Sequence, residues 1–361
     1  MEKIKVGITQ GDINGVGYEV ILKTFEDLEM FEICTPVLYG SVKVATYHKK
    51  TIESQLNFQL VDNAGQAKED CLNLVNCGND DAVVEFGVAS AAAGKAAFDA
   101  LERATKELQE GLVDVLVTAP INKSDIQSKD FTFPGHTEYL AQKFPSQNGP
   151  LMILMNQDVR VALVTTHLPI AKVAQALSQE LIESKIRLLH KALLEDFCIE
   201  IPKIAVLALN PHAGDQGLIG TEEQTIIQPA IDNMISQGIQ CFGPFSADGF
   251  FGTNAYRQFH AVLAMYHDQG LIPFKAIAMD NGVNYTAGLG VVRTSPDHGT
   301  AYDIAGKNLA SENSFRQAVY TAIDVYNARK FHKEIHKNPL QKQFFDRRDD
   351  KINLEAEDQN A

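Results

Sequence analysis

Short, continuous apolar runs bounded by Gly, Pro, Asn or Asp recur along the chain and alternate with longer amphipathic segments. The runs at 3–9, 113–118, 161–165, 204–209 and 261–265 have the length and flanking turn residues of buried strands. Ile182, Ile186, Leu189 and Leu193 recur at spacings of four, three and four, which predicts a helix over 179–196 with one apolar stripe. An Ala-rich segment over 90–109 and the stretch starting at Gly17 predict two more helices. Strand and helix in repeated alternation predict an α/β fold with a largely parallel sheet. The stretch 40–85 reads as a long polar loop, and residues after Leu340 as a charged tail with too few apolar groups for a core. No repeat of solenoid or propeller length is visible.

With 361 residues and 45% hydrophobic content, the chain can bury two separate cores. The periodic pattern breaks near 128–134 and again near 273–282. The expected division is a discontinuous outer domain of residues 1–128 and 275–340, an inserted central domain of residues 129–274, and the tail at 341–361. A net charge of −14 argues against a nucleic-acid partner, which needs clustered Lys and Arg. The five cysteines lack metal-type spacing and read as reduced thiols. No apolar run reaches the roughly 18 residues of a membrane span, and the first strand begins without a leader, so a cytoplasmic protein is expected.

Candidate chemistry gathers where the strand-like runs end. His167, His212 and His267 each follow one. Carboxyl ends of strands line the ligand crevice of α/β folds, so three imidazoles there can converge on one divalent metal with an open position. The alternative is that each ring caps a strand end and bonds a backbone carbonyl. GDINGVG at 11–17 lacks the G-x-G-x-x-G pattern and reads as a tight turn or an anion-facing loop. In FPGHTEYL, His136 and Thr137 stand at a helix start, where Thr137 either caps the helix or joins His136 in facing an anion. Asp248, in SADGFFG, is a candidate proton acceptor or an Asx-turn residue. Lys275, Asn284 and Arg293 fall in one short region and could cradle a phosphate dianion. The Gly-rich segment 288–307 is a candidate ligand loop without P-loop or Rossmann signature.

VTAPINK, PGHTEYL, VALVTTHLPI, LNPHAGDQGLIGTEE, VLAMYHDQGLIPFK and GVNYTAGLGVVRTSPDHGTA together resemble, in the same order, the signatures of the 4-hydroxythreonine-4-phosphate dehydrogenase family. The resemblance covers residues 3–330, and HGTAYDIAGK is also similar to the cofactor loop of isocitrate and isopropylmalate dehydrogenases. It implies two α/β/α domains with an interdomain cleft, of isocitrate/isopropylmalate dehydrogenase type rather than Rossmann. It makes His167, His212 and His267 ligands of a divalent metal, zinc first with magnesium or cobalt as alternatives, the third ligand coming from the other subunit of a homodimer. It places His136, Thr137, Lys275, Asn284 and Arg293 on the phosphorylated substrate. Gly288, Gly290, Asp297, His298, Gly299 and Asp303 would face NAD or NADP, and Asp248 and Lys275 are its catalytic candidates. The chain departs from the family pattern in GDINGVGYE, where Ile13 and Tyr18 stand in place of prolines.

The reaction so implied is NAD-dependent oxidation of the C3 hydroxyl of 4-phosphooxy-L-threonine, followed by loss of CO₂, in pyridoxal 5'-phosphate biosynthesis. A related enzyme acting on erythronate or threonate 4-phosphate would keep the phosphate cradle and drop the amine. A metal-dependent hydrolase would use three imidazoles to activate water and leave the 288–307 loop idle.

Overall fold

The computed structural model describes residues 3–78, 82–146 and 149–338; the expected charged tail lies outside the described residues. Twelve strands form one sheet: β1 (Ile4–Thr9), β2 (Cys34–Gly40), β3 (Phe58–Val61), β4 (Leu72–Asn76), β5 (Val115–Thr118), β6 (Leu151–Met155), β7 (Arg160–Leu163), β8 (Lys203–Leu207), β9 (Gln240–Phe245), β10 (Ala261–Ala264), β11 (Val283–Ala287) and β12 (Arg293–Pro296). Their spatial order is β3-β4-β2-β1-β5-β12-β11-β6-β7-β10-β8-β9. Pairing is parallel except at β12–β11, β11–β6 and β6–β7, so a short antiparallel patch joins two parallel halves. The stretch 40–85 is not a loop: it holds the helix Val42–Thr51, the edge strand β3 and its inner neighbour β4.

Side chains alternate between the faces with the strand period of two. On one face Val6, Ile8, Val115, Val117, Leu151, Ile153, Ile204, Val206 and Leu263 belong to a single core that runs under both halves. On the other face the core is split. Val37, Tyr39, Leu116, Phe98, Phe131 and Tyr139 pack together in the first half, and Leu154, Val161, Leu207, Phe250 and Phe274 in the second. The gap between these two cores is where a ligand can reach the sheet.

The helices follow the sequence pattern. Ser178 caps the helix Gln179–Glu195 by accepting from the Leu181 backbone N–H, and Ser90 caps Ala91–Gln109 in the same way through Ala93. The predicted stripe Ile182, Ile186, Leu189 and Leu193 is fully buried. Each such aliphatic side chain contributes about 1.5–3 kcal/mol by leaving water. Truncating Leu189 to Ala would cost about 2–5 kcal/mol, because the close-packed surroundings relax only partly. No described helix is long and apolar enough to cross a membrane.

Candidate active site

A cleft of about 160 Å³ opens between the two separate cores, at the carboxyl ends of β5 and β12 and the start of β11. Thr118 closes β5, Asn284 stands near the start of β11, and Arg293 and Ser295 lie on β12. His136 and Thr137 enter as the first two residues of the helix His136–Lys143. The N-cap of that helix is Gly135, so Thr137 sits inside the first turn and does not cap it.

Arg293 is the electrostatic centre of the cleft. It is 3% exposed, and its Nε and one terminal nitrogen donate to Thr118 Oγ1 at 3.1 and 2.6 Å. The other terminal nitrogen donates to Thr286 Oγ1 at 3.3 Å. Burial pushes the guanidinium down to about 10, which still leaves it charged at neutral pH. Among the described residues no carboxylate lies within ion-pair distance of it. A buried, unpaired cation is costly unless a ligand anion compensates it.

His136 lies beside it, with Nδ1 3.4 Å from an Arg293 terminal nitrogen. Burial, then the charges of Arg293 and Lys123, hold this ring well below the ordinary histidine range, so it is neutral. Its Nε2 is buried without a partner, and so are Asn284 Oδ1 and His298 Nε2. All three residues line the cleft. Orphaned buried polar atoms are rare in native proteins, and three around one cavity call for a polar ligand.

The three candidate metal ligands sit past the ends of three neighbouring parallel strands, β7, β10 and β8. His167 and His267 face each other with ring centroids 6.3 Å apart. His267 Nδ1 bonds Asp268 Oδ1 at 2.8 Å, which leaves Nε2 free in the carboxylate–histidine arrangement common behind metals. Burial, with Lys123, lowers the His167 pKa and favours the neutral ring that a cation needs. These two imidazoles fit a divalent metal. His212 does not join them within the chain. It is exposed on a turn at Pro211–Gly217 whose residues 212–216 all have positive φ, and it does not line the cleft. Among the described residues no group of three His, Cys, Asp or Glu side chains is gathered for a metal.

The other expected site residues divide between several places. Asp248 is exposed, accepts from Ser246 Oγ at 2.5 Å, and is held below the usual carboxylate range by that bond first, with His212 among the lesser causes. Lys275 does not line the cleft with Asn284 and Arg293. It pairs with Asp297 at 3.7 Å and donates to the Asp297 carbonyl at 3.3 Å. Burial pushes the Asp297 carboxyl up to about 6. Gly288 and Gly290 are separated from Asp297, His298, Gly299 and Asp303. They lie at the hairpin between β11 and β12, the opposite end of those strands, in a second cavity of about 340 Å³ with Lys191, Arg329 and Lys333. The loop at 11–17 is a packed turn: Asp12 accepts from Tyr302 Oη at 2.6 Å, and the Val16 N–H donates to the Thr300 carbonyl at 3.0 Å.

Lys123 and Thr118 carry no role in the sequence reading, yet both line the cleft. They follow and end the strand at 113–118, so the strand-end rule applied to the three histidines would have found them.

Comparison with known proteins places the chain in a family. The 4-hydroxythreonine-4-phosphate dehydrogenase of Bacteroides thetaiotaomicron is 59% identical over 360 residues, 99% of each chain. That of Sulfurihydrogenibium sp. is 42% identical over 327 residues, covering 91% of this chain and all of its own. The crystal structure of the Klebsiella pneumoniae 4-hydroxythreonine-4-phosphate dehydrogenase matches with a TM-score of 0.78 at 32% identity, covering 90% of this chain and 98% of that one. The family model described as pyridoxal phosphate biosynthetic protein PdxA matches residues 32–322, and this chain belongs to that family.

Proposed function

We propose that the chain oxidises the C3 hydroxyl of 4-phosphooxy-L-threonine with NAD and releases CO₂, giving 3-amino-2-oxopropyl phosphate in pyridoxal 5'-phosphate biosynthesis. The observation that carries this reading is the buried Arg293 cation, which has no carboxylate within ion-pair distance among the described residues, in a cleft lined by three orphaned polar atoms. A phosphate dianion supplies the missing charge, and the planar guanidinium matches its oxygens with two parallel bonds. Thr118 and Thr286 hold the fork in place, so little side-chain freedom is lost on binding. Neutral His136 and Thr137 at the helix start, with Asn284, supply further hydrogen bonds to the bound ester.

His167 and His267 would hold a divalent metal, with His212 as the third ligand; when bound, such an ion polarises the C3 oxygen and offsets the negative charge that develops there. Asp297, His298, Gly299 and Asp303 would hold the nicotinamide dinucleotide, which accepts the hydride. Asp248 and Lys275 stay the candidates for taking the hydroxyl proton; Lys275, held as a donor to Asp297 outside the cleft, would have to lose its own proton first.

A second copy of the chain would account for His212 and Asp248, which are exposed and do not line their own cleft. Leu168, Ile170, Leu218, Ile219 and Ile272 are exposed large hydrophobics close in sequence to His167, His212 and His267. If these side chains form one patch, it would suit a protein interface. The assembly we propose is a cytoplasmic homodimer in which His212 of one subunit completes the partner's site. The domain boundary is proposed along the groove between the two separate cores.

The test is NADH formation from 4-phosphooxy-L-threonine, with and without a chelator. Chelator-sensitive NADH production is expected. Turnover of threonate or erythronate 4-phosphate alone would move the assignment to the non-amino acid, and failure to bind NAD would remove the dehydrogenase reading.

A further inference from the structure

The cleft contains one more cation than the phosphate needs. Lys123 lies five residues past the end of β5, on a loop fixed from several sides. The Asp12 N–H donates to the Pro120 carbonyl at 2.8 Å, and Asn122 Nδ2 donates to Tyr302 Oη at 3.2 Å. Tyr302 is itself anchored on Asp12, and the Lys123 carbonyl accepts from Gln127 Nε2 at 3.2 Å. The backbone of Lys123 is thus tied to the first strand's loop, and its side chain reaches the mouth of the cleft.

Its ammonium has three hydrogen-bond donors, and among the described residues its one polar contact is a long 3.5 Å approach to His167 Nε2. Among the described residues no carboxylate lies within ion-pair distance; Glu138, on the same cleft wall, turns toward His167 Nδ1 at 3.9 Å instead. The cleft therefore holds two unpaired cations of different kinds. Arg293 is buried and planar at the base, and Lys123 is exposed and compact at the mouth.

We infer that Lys123 binds the substrate's carboxylate, opposite the phosphate end held by Arg293. The inference rests on the proposed reaction for the identity of that carboxylate. The chemistry favours this assignment of the two ends over its reverse. The phosphate stays on the molecule throughout and suits the stronger bidentate grip. The carboxylate departs: the C1–C2 bond breaks, its electron pair stays with C2, and neutral CO₂ leaves. An exposed ammonium in a high local dielectric orients that group without holding it tightly, and it keeps its own proton throughout. An anion at this point also offsets the repulsion between the Lys123 charge and a cation on His167.

Two inert probes separate the ends. O-phospho-L-serine carries phosphate, amine and carboxylate; O-phosphoethanolamine lacks only the carboxylate. Binding of each to the metal-loaded protein is measured by calorimetry, with thermal melting as a check on folding. The wild-type protein should prefer phosphoserine by roughly tenfold, the scale of one charge-assisted contact. Lys123→Met should abolish that preference and leave phosphoethanolamine affinity unchanged, Lys123→Arg should keep it, and Arg293→Met should weaken both ligands. Equal weakening of both ligands by Lys123→Met, no change in either, or a wild-type protein without the preference would overturn the inference. No probe is oxidised, so these outcomes are independent of whether NADH forms from 4-phosphooxy-L-threonine.

Discussion

Arg293 and Thr118 are bound twice over: Nε and a terminal nitrogen of the guanidinium both donate to one hydroxyl oxygen, at 3.1 and 2.6 Å. Thr118 closes β5 and Arg293 opens β12, so the contact fixes the cation across two neighbouring strands. Replacing Thr118 with Val keeps the shape and removes the acceptor. The expected result is a KM for the phosphorylated substrate raised by roughly tenfold or more, from the loss of about 1.5–3 kcal/mol of positioning, with a smaller change in kcat. Steady-state kinetics on Thr118→Val and Thr118→Ser checks this, the Ser variant recovering most of the loss.

The exposed turn carrying His212 makes a second prediction. Because no core residue depends on that side chain, His212→Ala should melt within about 0.5 kcal/mol of the parent and lose turnover. Full activity in metal-free buffer would remove His212 from the site.

Tyr302 and Asp12 link the 297–303 loop to the turn after β1, with Asn122 as a third member. Burial raises the Asp12 pKa while the Tyr302 bond opposes that shift, so removing the hydroxyl leaves a buried carboxylate short of a donor. Tyr302→Phe should destabilise by about 1–3 kcal/mol and raise the KM for the dinucleotide more than that for the phosphorylated substrate. Equal effects on both would mean that the loop does not face the cofactor.

Acid sensitivity should trace in part to His48. Its ring is buried, its Nε2–H donates to the Ile13 carbonyl at 2.8 Å, and burial pushes it down to about 4. In the unfolded chain the same ring titrates near its ordinary 6.5. As pH falls below that value the unfolded state takes up a proton that the native state refuses. Stability is therefore lost between about 6.5 and 4, by up to about 3 kcal/mol. Asp297, raised to about 6, acts with the opposite sign: stability falls as pH rises from its ordinary 3.8 toward 6. Urea unfolding of His48→Gln at about pH 5 and about pH 7.5 should show a smaller drop toward acid than the parent.

Much of this was legible in the residues. Buried strands such as β1 and β5 declare themselves as apolar runs, and the stripe from Ile182 to Leu193 marks a helix and its inward face. The edge strand β3 leaves little mark in the sequence because Phe58–Val61 is short and partly exposed, and its buried neighbour β4 is only five residues long. Gly288 and Gly290 were grouped with Asp297 by closeness in the chain, but a hairpin carries neighbours to opposite ends of its strands. Lys275 was grouped with Arg293 for the same reason, and the helix His267–Ala278 points it at Asp297 instead. The left-handed turn at 212–216 leaves no signal in its residue types beyond the single Gly214, so the exposed placement of His212 is not legible in the sequence.

Subunit complementation is the most direct test of a metal site completed across two copies. His167→Ala and His212→Ala are purified separately, mixed under conditions that exchange subunits, and assayed for NADH formation. If His212 acts in the partner's site, each mixed dimer contains one intact site, and activity should recover to about a quarter of wild type at random exchange. Mixed dimers that form and remain inactive would show that no site draws His167 and His212 from different subunits, contradicting the shared site.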